Sequence, residues 1–297
     1  MNRNQPLSLL ILLALGAVGL SLLFQHLLPV ELAEEGDPIR IVSLSPAITE
    51  TLHAIGAGDR LVGRSDYCDY PPEVLDLPPM GTTLQPVPEA IARISPDHIF
   101  MEGTKGVPPS SVRAIASTTV LPWLSLSDVT KSIRRLGELT DTVDNADALA
   151  MKLAGKLDVP AAKIGPRLLL VLGMPRGNSI WYVQKNSLHG RAVHTIGWRN
   201  AVDGAIEGPP AMSFERLMEI DPELIVVMIA RDQVTDIERQ AHVDVFERFP
   251  MLTAVKTGRV GTIVGSRHFR PGPRILEFIE VLRTEVSRLT SDKSDVP

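Results

Sequence analysis

Cysteine is nearly missing from this chain: Cys68 stands alone. That excludes an internal disulfide framework and a cysteine cage for a structural metal. No histidine stands beside Cys68 in a recognisable catalytic signature, so it reads as a structural or incidental thiol. Aromatic residues make up only 4% of the chain, so each one outside the core is informative. Basic clusters are missing too. Beyond Arg134-Arg135 there is no Lys/Arg run, and the net charge is −5, which argues against a nucleic-acid partner. Also absent are a Gly-x-Ser-x-Gly nucleophile elbow and a His-Glu-x-x-His pair. No Gly-rich phosphate loop precedes a helix; the Gly-x-Gly at 56–58 follows one.

What is present is apolar. Of 297 residues, 44% are hydrophobic, enough for one large domain or two medium lobes with real cores. Leu7 to Phe24 is an uncharged run of 18 residues, with Arg3 before it and Glu31, Glu34, Glu35 and Asp37 after it. This charge layout predicts a cytoplasmic N-terminus and an exported remainder. The run is long for a signal-peptide core and sits at the lower limit for a spanning helix, and no good Ala-x-Ala site follows it. Residues 1–36 are therefore expected to be a signal peptide or an N-terminal membrane anchor plus linker. No cysteine lies near the run, which excludes a lipid anchor.

Ile39 to Leu44 reads as a strand. A helix capped by Ser45 follows, with Pro46 in its first turn, Ile48, Leu52 and Ile55 on one face, and Gly56 and Gly58 at its end. Leu61 to Gly63 reads as a second strand. Strand, helix and strand in this order favour an α/β layout. Between Asp128 and Leu157 there is no proline, and Ile133, Leu136, Leu139, Val143, Leu149 and Leu153 recur at near-helical spacing. This spacing predicts one long helix, closed by Pro160 and Pro166. Arg167 to Leu172 then reads as a buried strand opening a second half.

The strongest internal signal is a repeat. EAIARISPDHI at 89–99 returns as ERLMEIDPELI at 215–225, an offset of 126 residues, and an apolar run follows each copy. Each copy predicts a short helix, a proline turn and a buried parallel strand. Two such units flanking a long helix predict two similar lobes joined by that helix, over residues 37–126, 127–160 and 161–297.

Five stretches now occur in a telling order: Ser43 to Gly58, Val62 to Pro72, Pro88 to Asp97, Phe214 to Glu223 and Arg259 to Ile275. Together they make the chain resemble the periplasmic binding proteins for ferric siderophores, heme and cobalamin. The likeness is greatest to the cobalamin branch, through Tyr67, Asp69, Tyr70, Pro71 and Pro72. The resemblance implies two Rossmann-like α/β lobes with central parallel sheets, joined by one backbone helix, with the ligand in the cleft between them. It implies capture of a metal chelate, a corrinoid or a ferric siderophore, and delivery to an ABC transporter permease. It implies no resident cofactor and no catalysis.

In the family, one glutamate at the tip of each lobe docks onto permease arginines. The matching positions are Glu89 and Glu215, also equivalent within the repeat, and two carboxylates set orientation and on-rate. The resemblance places Tyr67, Trp181 and Arg270 at the ligand. This chain departs from the cobalamin branch in having no tryptophan between Gly81 and Gln85, nor an aromatic from Glu102 to Gly106.

Two other readings stay open. A chelatase-like enzyme on the same fold would pair His268 with Glu102. An anchored receptor uncoupled from a transporter would bind a chelate but tolerate charge loss at Glu89 and Glu215. A heme reader would need an axial His or Tyr; His98 heads a buried strand, and His189 and His194 sit on a helix.

Overall fold

The computed structural model describes residues 38–103, 106–160, 165–204 and 209–291. The apolar run Leu7 to Phe24 lies outside them, and among the described residues no helix is long and apolar enough to cross a membrane.

The first lobe opens with β1 (Ile41–Ser43), fully buried. Ser45 then caps α1 (Pro46–Ala54), its hydroxyl accepting from the Ile48 amide while Pro46 supplies the preset φ of the first turn. β2 (Leu61–Arg64), α2 (Pro88–Ile94), β3 (His98–Glu102), α3 (Ser110–Arg113) and β4 (Ser117–Leu121) follow. The four strands form one parallel sheet in the order β2-β1-β3-β4.

The second lobe holds β5 (Arg167–Leu172), β6 (Ile180–Trp181), α6 (Leu188–Thr195), β7 (Arg199–Asn200), β8 (Ala211–Met212), α7 (Phe214–Ile220), β9 (Leu224–Ile229), α8 (Asp236–Glu247), α9 (Thr253–Lys256), β10 (Val260–Val264) and α10 (Ile275–Thr290). Its main sheet is also parallel, in the order β10-β9-β5-β7. Numbered from its own first strand, that order is the one in the first sheet. The fold class expected from the sequence is therefore the one observed, and the antiparallel ribbon β6–β8 is an addition peculiar to the second lobe.

The repeat is structural down to the backbone. Ser95 and Asp221 end their helices in the left-handed region, at φ 46° and 44°, and each precedes the repeat's proline. One arginine ties each turn. Arg40 donates to the Ile94 carbonyl at 2.8 Å, and its amide donates to the Asp97 carboxylate at 2.8 Å. Arg167 donates to the Ile220 and Asp221 carbonyls at 2.7 and 2.8 Å, and its amide donates to Glu223 at 2.9 Å. Each arginine thus satisfies carbonyls that its short helix leaves without partners.

One expectation is corrected. The segment 128–157 is not one helix but two, α4 (Leu126–Leu139) and α5 (Val143–Leu157), packed on each other. Thr140, Asp141 and Thr142 are weak helix formers, and Asp141 turns into the left-handed region at φ 50°. The turn lets Gly137 meet Ala146 so closely that a side-chain carbon on Gly137 would overlap the Ala146 methyl. Helical spacing survives the break because both helices bury their apolar stripes. Ile133, Leu136, Ala146, Ala150 and Leu153 belong to one apolar cluster that continues into the cores of both lobes.

Candidate functional site

A doubly wound parallel sheet leaves a crevice at the carboxyl ends of its strands, where the winding reverses. In the first lobe that point lies between β1 and β3. A cavity of about 320 Å³ opens there, lined by Leu44 and Ser45 after β1, Tyr67 after β2, Glu102 at the end of β3, and Thr83 and Leu84 from the loop ahead of α2. Tyr67 is 69% exposed and Leu84 92%. Large apolar groups standing in water beside a cavity are what a ligand-binding rim needs.

The rear wall is polar. Ser45 Oγ donates to Glu102 Oε2 at 2.9 Å. Behind it, Thr49 Oγ1 donates to Ser43 Oγ at 2.8 Å and contacts Cys68 Sγ at 3.1 Å. Ser43 Oγ donates to the Ser45 carbonyl. Burial pushes the Glu102 carboxyl above its ordinary range, and the Ser45 hydrogen bond offsets part of that rise. Burial likewise raises the Cys68 thiol, which keeps it protonated and unreactive.

Ions join the two lobes. Glu50, on α1, is buried, with its side chain 2% exposed. Arg274 of the second lobe donates to it twice, Nε to Oε2 at 2.9 Å and Nη2 to Oε1 at 2.6 Å. The Arg274 guanidinium also lies 4.1 Å from the centroid of the Tyr70 ring. Arg270 reaches Glu50 at 3.4 Å, pairs with both carboxylate oxygens of Asp69, and donates to the Tyr67 carbonyl at 2.9 Å. The hydrogen bond from Arg270 holds the Asp69 carboxyl below its usual range, against the opposing effect of partial burial. Trp123 adds a neutral link, its indole N–H donating to the Pro271 carbonyl at 2.6 Å. A second cavity of about 380 Å³ straddles the lobes beside this set, between Asp69, Tyr70, Asp232, Arg267 and Arg274.

The residues singled out from the sequence fall in different places. Tyr67 lines the first-lobe cavity. Arg270 does not line that cavity; its guanidinium donates to the Tyr67 carbonyl and is otherwise held by Asp69 and Glu50. Trp181 stands half-buried on the β6–β8 ribbon, across from Ala211, and is not among the residues lining the Tyr67 cavity. Glu89 and Glu215 are both exposed, each the second residue of its short helix, α2 and α7. The Ser213 hydroxyl, the backbone amide of Glu215 and the Asn178 amide lower the Glu215 carboxyl. Glu102 lines the cavity, whereas His268 is buried against Phe278 with its carbonyl bonded to His189, so the two are held in separate surroundings. Among the described residues no cluster of three or more His, Cys, Asp or Glu could hold a metal ion.

Sequence reasoning missed Glu50 and Arg274. The signal was a carboxylate inside an otherwise apolar helix face, flanked by Thr49 and Thr51, with two arginines near the start of the last helix.

Known proteins bear on this geometry. Residues 41–265 match the family described as periplasmic binding protein, and the chain belongs to that family. The vitamin B12-binding protein of Photorhabdus laumondii is 27% identical over 280 residues, covering 90% of this chain and 94% of its own length. Two solved structures share the fold. A periplasmic heme binding protein from Pseudomonas aeruginosa superposes with a TM-score of 0.67 at 21% identity, over 86% of this chain and 94% of that one. The periplasmic vitamin B12 binding protein of Vibrio cholerae does so with 0.63 at 20% identity, over 85% and 98%.

Proposed function

We propose that this chain is the extracytoplasmic solute-binding protein of an ABC importer. It captures a metal chelate of the corrinoid or ferric-siderophore class between its lobes and hands it to a membrane permease. The observation that carries this reading is the cavity at the switch point of the first sheet, with Tyr67 and Leu84 held out in water beside it. Capture needs only preorganised contacts and no bond chemistry. The chelate is cargo, and the protein needs no resident cofactor for the task. The family and the relative that binds vitamin B12 support the reading, as does the apolar, uncharged run Leu7 to Phe24, which would carry the protein out of the cytoplasm and hold it at the membrane if it is not cleaved.

The test is retention of a chromophore. The chain is mixed separately with cobalamin, cobinamide, heme and ferric siderophores and then desalted. One chelate retained at about one per chain supports capture; none retained by folded protein refutes it. Delivery is tested apart from capture. Exposed carboxylates on both lobes suit a two-point electrostatic contact, so Glu89→Ala with Glu215→Ala should abolish import and leave chelate affinity unchanged. Unaltered import would remove the permease contact from these two residues and favour the uncoupled receptor.

A further inference from the structure

Among the described residues, the first-lobe cavity has one charged group in its wall, and it is an acid. Glu102 ends β3, where the sheet delivers its side chain to the crevice. One oxygen, Oε2, is taken by Ser45 at 2.9 Å. The other, Oε1, has no hydrogen-bond partner among the described residues. The hydroxyls behind it are already paired among themselves, through Ser43 and Thr49. They brace Ser45, and among the described residues none gives the carboxylate a second hydrogen bond. Glu102 is only partly buried, so its Oε1 opens to the cavity, and a donor on whatever enters can take the place that water would otherwise fill.

Of the second-lobe arginines at the cleft, two are already committed, and Arg267 lines the cavity between the lobes instead of the Glu102 cavity. Arg274 is held by Glu50, and Arg270 by Glu50 and Asp69. A carboxylate on the incoming molecule would therefore meet Glu102 without a compensating cation among the described residues of the cavity wall, and like charges at such range repel. An N–H on the incoming molecule would complete a charge-assisted bond.

Resting on the importer reading above, we propose that Glu102 determines which chelates the cleft accepts. Its open oxygen receives an amide N–H from the rim of the cargo. The first lobe thus admits chelates edged with amides, as corrinoids are, and turns away those edged with carboxylates, as heme is.

The experiment titrates the full chain, followed by absorption, with cyanocobalamin, with each of its single-amide hydrolysis products (one propionamide converted to propionate), and with heme. The same series is run on Glu102→Gln, which keeps the shape and the Ser45 bond but sets an N–H where the open acceptor was. Wild-type protein is expected to bind cyanocobalamin at least about ten-fold more tightly than one of the monocarboxylates, and more tightly than heme. In Glu102→Gln that monocarboxylate should come within about three-fold of cyanocobalamin or overtake it. A preference unchanged in Glu102→Gln, or wild-type protein that favours heme, overturns the proposal while leaving chelate capture standing. Failure of folded wild-type protein to bind any of these compounds overturns the proposal along with the corrinoid form of the importer reading.

Discussion

Arg274 grips Glu50 with two nitrogens across a sequence gap of 224 residues, and the carboxylate they share is almost sealed from water. Removing one member of a buried ion set leaves its partners charged and unmatched, which costs about 3–5 kcal/mol. Glu50→Ala is expected to lower unfolding stability by about 3 kcal/mol or more, since Arg270 keeps Asp69 and the Tyr67 carbonyl while Arg274 keeps only the Tyr70 face. Arg134→Ala, which breaks an exposed pair with Asp147, should change stability by about 1 kcal/mol at most. Urea titration of both variants makes the comparison, and equal losses would show that the Glu50 set carries no special weight.

Tyr67 and Arg270 should separate ligand contact from ligand-site support. Tyr67 is mostly exposed, so Tyr67→Ala should leave stability within about 0.5 kcal/mol of wild type and reduce chelate affinity about ten-fold or more. Arg270→Ala should lower both, because it frees the Tyr67 loop and strips Asp69 of its partner. Arg270 is then a positioning residue. An Arg270→Ala variant with full stability and reduced affinity would instead make its guanidinium a direct ligand contact.

Helix propensity and packing give opposite forecasts at Gly137. Replacing an interior helical glycine by alanine ordinarily gains about 1 kcal/mol. Here the new methyl would overlap Ala146 on the neighbouring helix, and overpacking costs about 1–3 kcal/mol. The melting temperature of Gly137→Ala should fall. A rise would mean that α4 and α5 separate easily.

Acid should weaken the second lobe through His189. Complete burial lowers its pKa from 6.5 to about 4, and the hydrogen bond to the His268 carbonyl only partly opposes this. The unfolded chain takes up that proton near 6.5, so between these values it holds more protons than the folded chain. Stability from this group is complete above about pH 6.5 and drains away as the pH falls toward about 4. The amount is on the order of 3 kcal/mol. His53, His98, His194 and His268 are also lowered by burial and act in the same direction. The contribution of His189 is therefore read as a difference. Urea midpoints of His189→Asn should fall less steeply across this range than those of wild type, and parallel curves would dismiss His189 as the source.

Much of the architecture could be read from the residues because local chemistry repeats. Ser45, Pro46 and Gly56 mark one helix by cap, first turn and left-handed end. The copies at 89–99 and 215–225 mark the third strand of each sheet. Arg40 and Arg167 escaped notice because each lies 53 to 57 residues ahead of the groups it ties, with an offset of 127 instead of 126. The break at Asp141 was masked by apolar spacing that both helices continue. At the site, Tyr67 was visible as an aromatic in a loop. Glu50 was not, because its partners come from the far end of the chain, and only tertiary structure tells a buried carboxylate from a solvated one.

The ionic set between the lobes has a kinetic consequence. Spreading the lobes would expose Glu50 and part it from both arginines, so the gap width is settled when the protein folds. Cargo then meets a slot of fixed gauge instead of a jaw that shuts behind it. Little ordering is left to do on arrival, so uptake is governed by how often a correctly turned molecule collides with the opening, and residence by how well it fits.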